Sequence, residues 1–276
     1  MAVIDLPSFK TEETDSLCRE IARKSGGVIF CGLSRGKDSL CAYLFLRRYF
    51  KKANIIPFHC ASYPGLKHVK ETLDYYESVL ETRILRLVGE ELPMALPRMM
   101  YQTPDEIEEL ESLDTPNFSK LDILEYLRYE FNLPRAWCAF GIAASDSIDR
   151  RIYCNKIKGR NPSNMTFYPC WDWPRAEILK AVRESGIRLS GEYRWSSRTL
   201  GGIPSATCNR IYKEHYPEDW NRILAMYPLA EAKTLRELYL DRAFERRKAL
   251  GIVPDETEAD VAEEESAADM MPEIGM

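Results

Sequence analysis

The residues best suited to chemistry in this sequence lie in one short segment, residues 34–39, which reads Ser-Arg-Gly-Lys-Asp-Ser. The segment follows an apolar run at residues 28–31 and precedes a helical pattern. A loop between a strand and a helix directs backbone N–H groups and the positive helix end toward an anion. Gly36 permits close approach, and Lys37 adds a mobile cation. We therefore expect this loop to bind phosphate.

The loop is not a P-loop of the GxxxxGK[ST] type, because Phe30 and Cys31 stand where its first glycine would be required. Spacing alone therefore leaves two interpretations open, a phosphate-binding loop and an ordinary turn between a strand and a helix. In the second interpretation, Ser39 caps the helix and Asp38 complements the helix dipole.

The elements that would position this loop alternate between strand and helix. Apolar runs predict strands at residues 28–31, 55–60 and 83–88. Helical patterns lie between them, at residues 39–49 and 66–80. Strands that alternate with helices imply right-handed crossovers, so we expect an α/β fold with a mainly parallel sheet.

The second half of the chain has a less regular pattern. Prolines surround an acidic stretch, which predicts an insertion or lid at residues 93–120. A further helix is expected at residues 174–185, with Pro174 at its first position and Gly186 beyond its end. Residues 217–250 predict one or two closing helices.

The formal net charge of −5 is unevenly distributed along the chain. Nine of the 43 acidic residues follow Lys248, the last basic residue. Residues 1–248 therefore contain 34 acidic and 38 basic residues and carry a net charge of +4. Residues 254–276 are rich in Glu, Asp and Ala and contain no aromatic residue, so we expect a disordered acidic tail. This tail either solubilises the protein or binds a protein partner.

Cysteine spacing and hydropathy exclude several classes of protein. The eight cysteines form no CxxC pair and there are three histidines, so neither a zinc site nor a cluster with paired ligands is indicated. No stretch approaches 18 uncharged apolar residues, and the first ten residues do not resemble a secretory signal. We therefore expect a cytoplasmic protein with reduced thiols and no membrane association.

Residues 34–39 resemble the SGGKDS loop of the PP-loop ATP pyrophosphatase superfamily, the adenine nucleotide α-hydrolases, with Arg35 at a position usually held by glycine. Two later segments are similar to the phosphoadenosine phosphosulfate reductase-like branch of that superfamily. Residues 141–150 resemble its GxRAxESxxR segment, and residues 168–193 resemble a later region with spaced Pro, Trp and Tyr. The three matches span roughly residues 25–210.

The resemblance implies an open, mainly parallel five-stranded sheet with helices on both faces, followed by a helical C-terminal segment. It implies a PP-loop domain at residues 1–235 and a C-terminal helix at residues 236–253, before the acidic tail. ATP and Mg²⁺ would bind at the C-terminal ends of the strands. The resemblance and the position of each residue assign the following side chains to the nucleotide: Ser34, Arg35, Gly36, Lys37, Ser39, His59, Gly141 and Ser147.

Cleavage at the α-phosphate develops charge on oxygen atoms, so cations supply most of the catalysis. We predict Lys37, Asp38 and Arg150 as catalytic residues, with Asp38 also holding Mg²⁺. Arg150 is chosen because it ends the segment that resembles the family. Arg151 and Arg160 are substitutes for it, and a solvated basic face is the alternative interpretation.

Other side chains have two interpretations each. The Arg35 side chain either contacts phosphate or points to solvent. His59, at the end of the second strand, either contacts the ribose or base or is satisfied by the backbone. Trp171 and Trp173 either stack on a base or pack in the core. Cys208 is either a nucleophile or a buried structural thiol.

The sequence thus predicts an enzyme that binds ATP and Mg²⁺ and cleaves ATP between the α and β phosphates. It would adenylate an acceptor, either sulfate, as in sulfate adenylyltransferase, or a nucleic acid, and release pyrophosphate. A sulfonucleotide reductase is disfavoured, because that branch needs a C-terminal nucleophilic cysteine and none follows Cys208. A non-catalytic nucleotide-binding assembly protein is the alternative from another class.

Overall fold

The computed structural model describes residues 4–95, 98, 100–112, 118–196, 199–200 and 206–250. The acidic tail predicted at residues 254–276 lies outside the described residues. Within the described part of the chain, no helix combines the length and apolar character needed to cross a membrane.

The described residues form a six-stranded sheet in the order β3-β2-β1-β4-β6-β5. Its strands are β1 Ile29–Gly32, β2 Ile55–Ala61, β3 Leu85–Val88, β4 Trp137–Phe140, β5 Arg160–Asn161 and β6 Thr166–Phe167. All neighbouring strands are parallel except β5, which pairs antiparallel with β6 at the edge. The mainly parallel sheet is confirmed, and the two-residue strand β5 adds a sixth strand to the five expected.

The helices of the described residues are α1 Glu12–Lys24, α2 Lys37–Leu46, α3 Lys67–Leu80, α4 Glu91–Ala95, α5 Pro104–Ser112, α6 Lys120–Glu130, α7 Ile148–Ile157, α8 Arg175–Glu184, α9 Ala206–His215, α10 Pro217–Met226 and α11 Ala230–Ala249. Short 3-10 helices include Ala144–Asp146 and Gly191–Arg194.

Helices cover both faces of the sheet, as expected. Successive side chains of a strand point to opposite faces. Ile29 and Cys31 accordingly join one hydrophobic cluster with residues of α1, α2, α3 and α8. Phe30 lies in a separate cluster with Leu124 and Leu127 of α6. Each apolar side chain buried this way contributes about 1.5–3 kcal/mol, so both layers stabilise the sheet.

Helix α2 is the central helix of the fold. Nine of its ten residues are buried, including the run from Ser39 to Leu46. A helix that is apolar on all sides must be covered on all sides. Its position is therefore fixed by its surroundings, and its N-terminus is held against the sheet.

Several predicted boundaries differ from those in the structure. Helix α2 begins at Lys37, two residues before the predicted start, because Gly36 has extended N-cap geometry. Pro174 is the N-cap of α8 and not its first residue. Both α10 and α11 occupy the segment predicted as one or two closing helices, but α11 begins at Ala230. The predicted boundary between residues 235 and 236 therefore falls inside a helix.

The predicted insertion at residues 93–120 is partly described and includes α5. Just before α5, the chain is tied to the C-terminal helices. The Gln102 side-chain amide donates to the Met226 carbonyl at 2.8 Å, and the Leu229 N–H donates to the Tyr101 carbonyl at 2.9 Å. This part of the insertion is therefore anchored to the segment between α10 and α11.

Candidate functional site

Residues 34–39 connect the end of β1 to the beginning of α2. The Ser39 hydroxyl donates to the Gly36 carbonyl at 2.9 Å and accepts the Ser34 N–H at 3.1 Å. The Ser34 hydroxyl also donates to it at 3.1 Å. Ser39 is buried, so its side chain fixes the shape of the loop from within. The phosphate contacts of Ser34 and Ser39 stay predictions.

Arg35 adopts a left-handed backbone conformation with φ +68°. Glycine adopts this conformation without steric cost, whereas other residues pay roughly 1–2 kcal/mol for it. Of its two interpretations, the one in which the side chain points to solvent is wrong, because the side chain is buried. The guanidinium is buried in an ion pair with Glu192 and also donates to the Leu200 carbonyl at 3.1 Å. The side chain therefore belongs to the framework of the loop, and its predicted contact with phosphate stays a prediction.

The ion pair of Arg35 belongs to a buried charge network. The Nε2 atom of His68 lies 2.7 Å from Glu192, and its Nδ1 atom lies 2.7 Å from Asp219. The imidazole thus bridges two buried carboxylates. Burial by itself would raise the pKa of Glu192, but the His68 hydrogen bond and the Arg35 charge outweigh burial and lower that pKa.

A second charge cluster lies on the other side of the loop. The Lys37 Nζ atom is 2.7 Å from both Asp38 carboxylate oxygens and 3.5 Å from Asp146. The other Asp146 oxygen is bound by the Arg150 guanidinium. The pKa of Asp38 is raised, chiefly by burial and further by the Asp146 charge, against the lowering effect of Lys37. A bound cation would therefore stabilise the ionised form of Asp38.

This cluster borders a cavity of about 490 Å³, which we name the loop cavity. Its lining contains seven of the predicted site residues: Ser34, Gly36, Lys37, Asp38, Gly141, Ser147 and Arg150. The same lining contains four residues that the sequence analysis did not assign to a site: Asp146, Arg175, Tyr193 and Thr199. The structure thus brings together the loop at residues 34–39 and segments more than 100 residues away.

Three helices begin at the loop cavity. Lys37 is the first residue of α2, and Arg175 is the first residue of α8. Ser147 caps α7 by accepting the Arg150 N–H at 3.2 Å. Positive helix ends attract anions and disfavour cations, yet Arg150 and Arg175 both lie in first turns. An arginine in the first turn of a helix is the sequence signal that could have identified Arg175. A bound anion would offset the unfavourable interaction of that arginine with the helix dipole.

Tyr193 closes one side of the loop cavity. Its hydroxyl oxygen accepts the backbone N–H of Lys37 at 3.1 Å. That N–H belongs to the first turn of α2, where the intrahelical partners of N–H groups are missing. The phenol therefore satisfies a donor of the loop and leaves its own O–H proton for another acceptor.

A second cavity of about 280 Å³, which we name the apolar cavity, lies between the ends of β2 and β4 and helix α6. Its apolar lining residues are Leu33, Phe58, Ile123, Leu124, Phe140 and Ile142. The Lys120 Nζ atom lies 3.8 Å from the centre of the Phe140 ring. Ser34, Ser39 and Gly141 line this cavity. Ser34 and Gly141 also line the loop cavity, so the two cavities meet at Ser34 and Gly141.

Gly141 follows β4 where that strand touches the beginning of α2. A Cβ atom at Gly141 would lie 2.3 Å from the Asp38 carbonyl carbon and 2.3 Å from the Ser39 nitrogen. Real Cβ atoms do not approach backbone atoms so closely. Gly141 therefore has a steric role, which lets β4 and α2 meet, besides bordering both cavities.

His59 is buried in β2 beside the apolar cavity. Its Nδ1 atom lies 2.7 Å from the Leu33 carbonyl, which can only accept, so Nδ1 carries the proton. Burial, followed by the Arg35 charge, lowers the pKa of His59 to about 4. The ring is therefore neutral near pH 7. Its hydrogen bond to the Leu33 carbonyl agrees with the interpretation in which the backbone satisfies His59.

We expect the variant His59→Asn to lose less stability in acid than the original protein. The pKa of the unfolded ring is 6.5 and that of the folded ring is about 4, so the unfolded state binds the proton first. Stability is therefore complete above pH 6.5 and falls as the pH approaches 4. This linkage removes about 2 kcal/mol between pH 8 and pH 5. Urea unfolding at both pH values measures it, and equal losses for the two proteins would contradict it.

Trp171 and Trp173 are buried, which confirms the core interpretation for these side chains. The Trp173 ring packs edge-on against Phe9 and Phe45 at centroid distances of 5.0 and 4.8 Å. No disulfide joins any of the eight cysteines, and Cys208 in α9 is half-buried. Among the described residues, no three His, Cys, Asp or Glu side chains are placed to hold a metal ion.

No protein-family model matches the chain, and no curated protein matches it. Among solved structures, it is similar to the U34-tRNA thiolase NcsA from Methanococcus maripaludis with its 4Fe-4S cluster. The TM-score is 0.42 at 16% identity, over 79% of each chain. It is also similar to an NH3-dependent NAD synthetase from Campylobacter jejuni in complex with the nitrate ion. The TM-score is 0.42 at 15% identity, over 83% of this chain and 94% of that chain. Similarity at this level establishes neither a shared family nor a shared function.

Proposed function

We propose that this protein binds ATP, cleaves it between the α and β phosphates and transfers the adenylyl group to an acceptor. The proposal rests on the junction, at Ser34 and Gly141, of a mainly apolar cavity with a cavity lined mainly by polar and charged residues. The apolar cavity suits a purine base. The loop cavity, with three helix N-termini and three cationic side chains, suits a triphosphate.

Lys37, Arg150 and Arg175 are the cations of the loop cavity. Lys37 and Arg150 are bound to Asp38 and Asp146 in the structure, whereas no carboxylate partner of Arg175 is found among the described residues. An entering triphosphate would take over these cations. Charge that develops on the phosphate oxygens during cleavage would then face fixed positive groups, which is the main source of catalysis in phosphoryl-type transfer.

The two carboxylates of this cluster fit the limited needs of Mg²⁺. This ion keeps water and phosphate oxygens as ligands and takes only one or two carboxylates from a protein. Asp38 and Asp146 both lie within 3.5 Å of the same Lys37 ammonium group, so both border one small volume. They would hold an ion that arrives with the nucleotide, and that ion would neutralise phosphate charge.

In the proposed reaction, a nucleophilic oxygen of the acceptor attacks the α-phosphorus. The bond from that phosphorus to the bridging oxygen breaks, and pyrophosphate leaves with its electron pair. Sulfate and nucleic acid remain the two proposed acceptors. The net charge of +4 on residues 1–248 is compatible with either anion.

The test uses the purified full chain with α-labelled ATP and Mg²⁺, alone and with sulfate, tRNA or DNA. We expect pyrophosphate release together with labelled AMP or a labelled acceptor, and thin-layer chromatography or mass spectrometry identifies the product. Binding of ATP without turnover under every condition would favour the nucleotide-binding assembly protein. Absence of ATP binding would refute the proposal.

We expect Arg175→Ala to raise the dissociation constant for ATP by about tenfold, since one charge-assisted hydrogen bond contributes roughly 1.5 kcal/mol. Arg183→Ala is the matched control, because Arg183 lies in the last turn of the same helix. Isothermal titration calorimetry compares the two. Equal affinities in both variants would remove Arg175 from the phosphate site.

A further inference from the structure

The loop at residues 34–39 is held from outside by the 3-10 helix Gly191–Arg194. Two consecutive residues of that helix contact it. Glu192 binds the Arg35 guanidinium, and Tyr193 accepts the Lys37 N–H. A displacement of this short helix would therefore move both ends of the Arg35-Gly36-Lys37 turn.

Glu192 is in turn fixed on all sides. Its side chain has no solvent exposure, and its carboxylate oxygens are bound by Arg35, by His68 and by the Leu200 N–H at 2.8 Å. Such a carboxylate cannot rotate without leaving buried groups unpaired. Glu192 is thus a rigid point to which the Arg35 part of the loop is attached.

Arg35 needs such an attachment because it occupies the left-handed conformation that glycine adopts freely. Its side chain is bound by Glu192, and its carbonyl accepts the Tyr76 hydroxyl at 3.2 Å. Both contacts come from residues at least 41 positions away in sequence. Tertiary contacts therefore replace the conformational freedom that a glycine would provide.

We propose that Glu192 is a positioning residue for the phosphate-binding loop and acts through the Arg35 guanidinium. The inference rests on the proposed function, since it concerns how the loop is shaped for a triphosphate. Glu192 is fully buried and lines neither the loop cavity nor the apolar cavity. It sets the backbone of Arg35, and so the position of the Lys37 ammonium group and N–H in the loop cavity.

The test measures dissociation constants for ATP and for adenosine by calorimetry in Glu192→Gln, Arg35→Gly and the double variant. We expect Glu192→Gln to weaken ATP binding about tenfold and to change adenosine binding less than twofold, because adenosine occupies only the apolar cavity. Adding Arg35→Gly to that variant should recover at least fivefold in ATP affinity, since glycine keeps the left-handed turn without a partner. Glu218→Gln, in an exposed ion pair with Lys67, is the control and should change neither constant.

Each outcome has a separate meaning. If the unaltered protein binds no ATP, the proposed function fails. If it binds ATP but Glu192→Gln weakens ATP and adenosine equally, or Arg35→Gly gives no recovery, the positioning role is refuted and the proposed function stands. Should Glu192→Gln not fold, Arg35→Met removes the guanidinium from the same ion pair and keeps a residue with a Cβ atom in the left-handed conformation. That variant should weaken ATP binding about threefold at constant adenosine affinity, and an unchanged ATP affinity would refute the inference.

Discussion

Replacement of Lys37 by glutamine should lower ATP turnover by about 10³-fold, which corresponds to about 4 kcal/mol of lost transition-state stabilisation. The Lys37 ammonium group is buried, lies in the first turn of α2 and is bound to two carboxylates. Removal of its charge leaves Asp38 and Asp146 facing the phosphates without a shared cation. Like charges at a partly buried site repel strongly, so both binding and cleavage should suffer.

The measurement is kcat and KM for pyrophosphate release from ATP, with the acceptor that supports turnover. Lys52→Gln is the matched control, because Lys52 forms an exposed ion pair with Glu81, and such pairs contribute about 0–1 kcal/mol. We expect that control to keep full turnover. A Lys37→Gln protein with turnover within threefold of the original would exclude the loop cavity as the site of cleavage.

Replacement of Gly141 by alanine should destabilise the protein by about 3 kcal/mol and abolish ATP binding. The added Cβ would lie 2.3 Å from backbone atoms of Asp38 and Ser39. Backbone atoms at the start of a fully packed helix cannot move aside as a flexible side chain can. Either β4 or α2 must shift, and both cavities meet at this contact.

Denaturant unfolding measures the loss, and Gly186→Ala is the matched control. Gly186 has φ +71° but open space around its Cβ position, so alanine there costs only the backbone strain of about 1 kcal/mol. The difference between the two variants isolates the steric contact from the loss of a glycine. If Gly141→Ala were no less stable than Gly186→Ala, the close approach of β4 to α2 would not matter energetically.

Much of the fold could be predicted from the sequence because the responsible signals are local. The apolar runs at β1, β2 and β3 and the helical patterns after them predicted a parallel sheet, and the strands lie within two residues of the expected positions. Boundaries were less accurate. The start of α2 depends on the extended conformation of Gly36, which a residue type alone does not specify.

The candidate site was predicted in part for the same reason. The loop residues Gly36, Lys37 and Asp38 are adjacent in sequence, so their types and spacing indicated an anion site. Arg175 was not assigned to the site, because its proximity to Lys37 depends on how α8 packs beside α2. Lys37 and Arg175 are far apart in the sequence, and nothing in their spacing predicts that they line the same cavity.

Side-chain periodicity and residue type were enough to predict the succession of strands and helices along the chain, the loop after β1 and the positive charge of Lys37. The group that each charged side chain contacts depends instead on long-range packing. Arg35 turns into the protein because Glu192, from a segment 157 positions later, supplies a buried carboxylate. Lys37 faces the loop cavity because Asp146 and Arg150 are brought there by β4 and α7. Ion pairs form between side chains that are close in space, and the spacing of residues along the sequence does not give that distance.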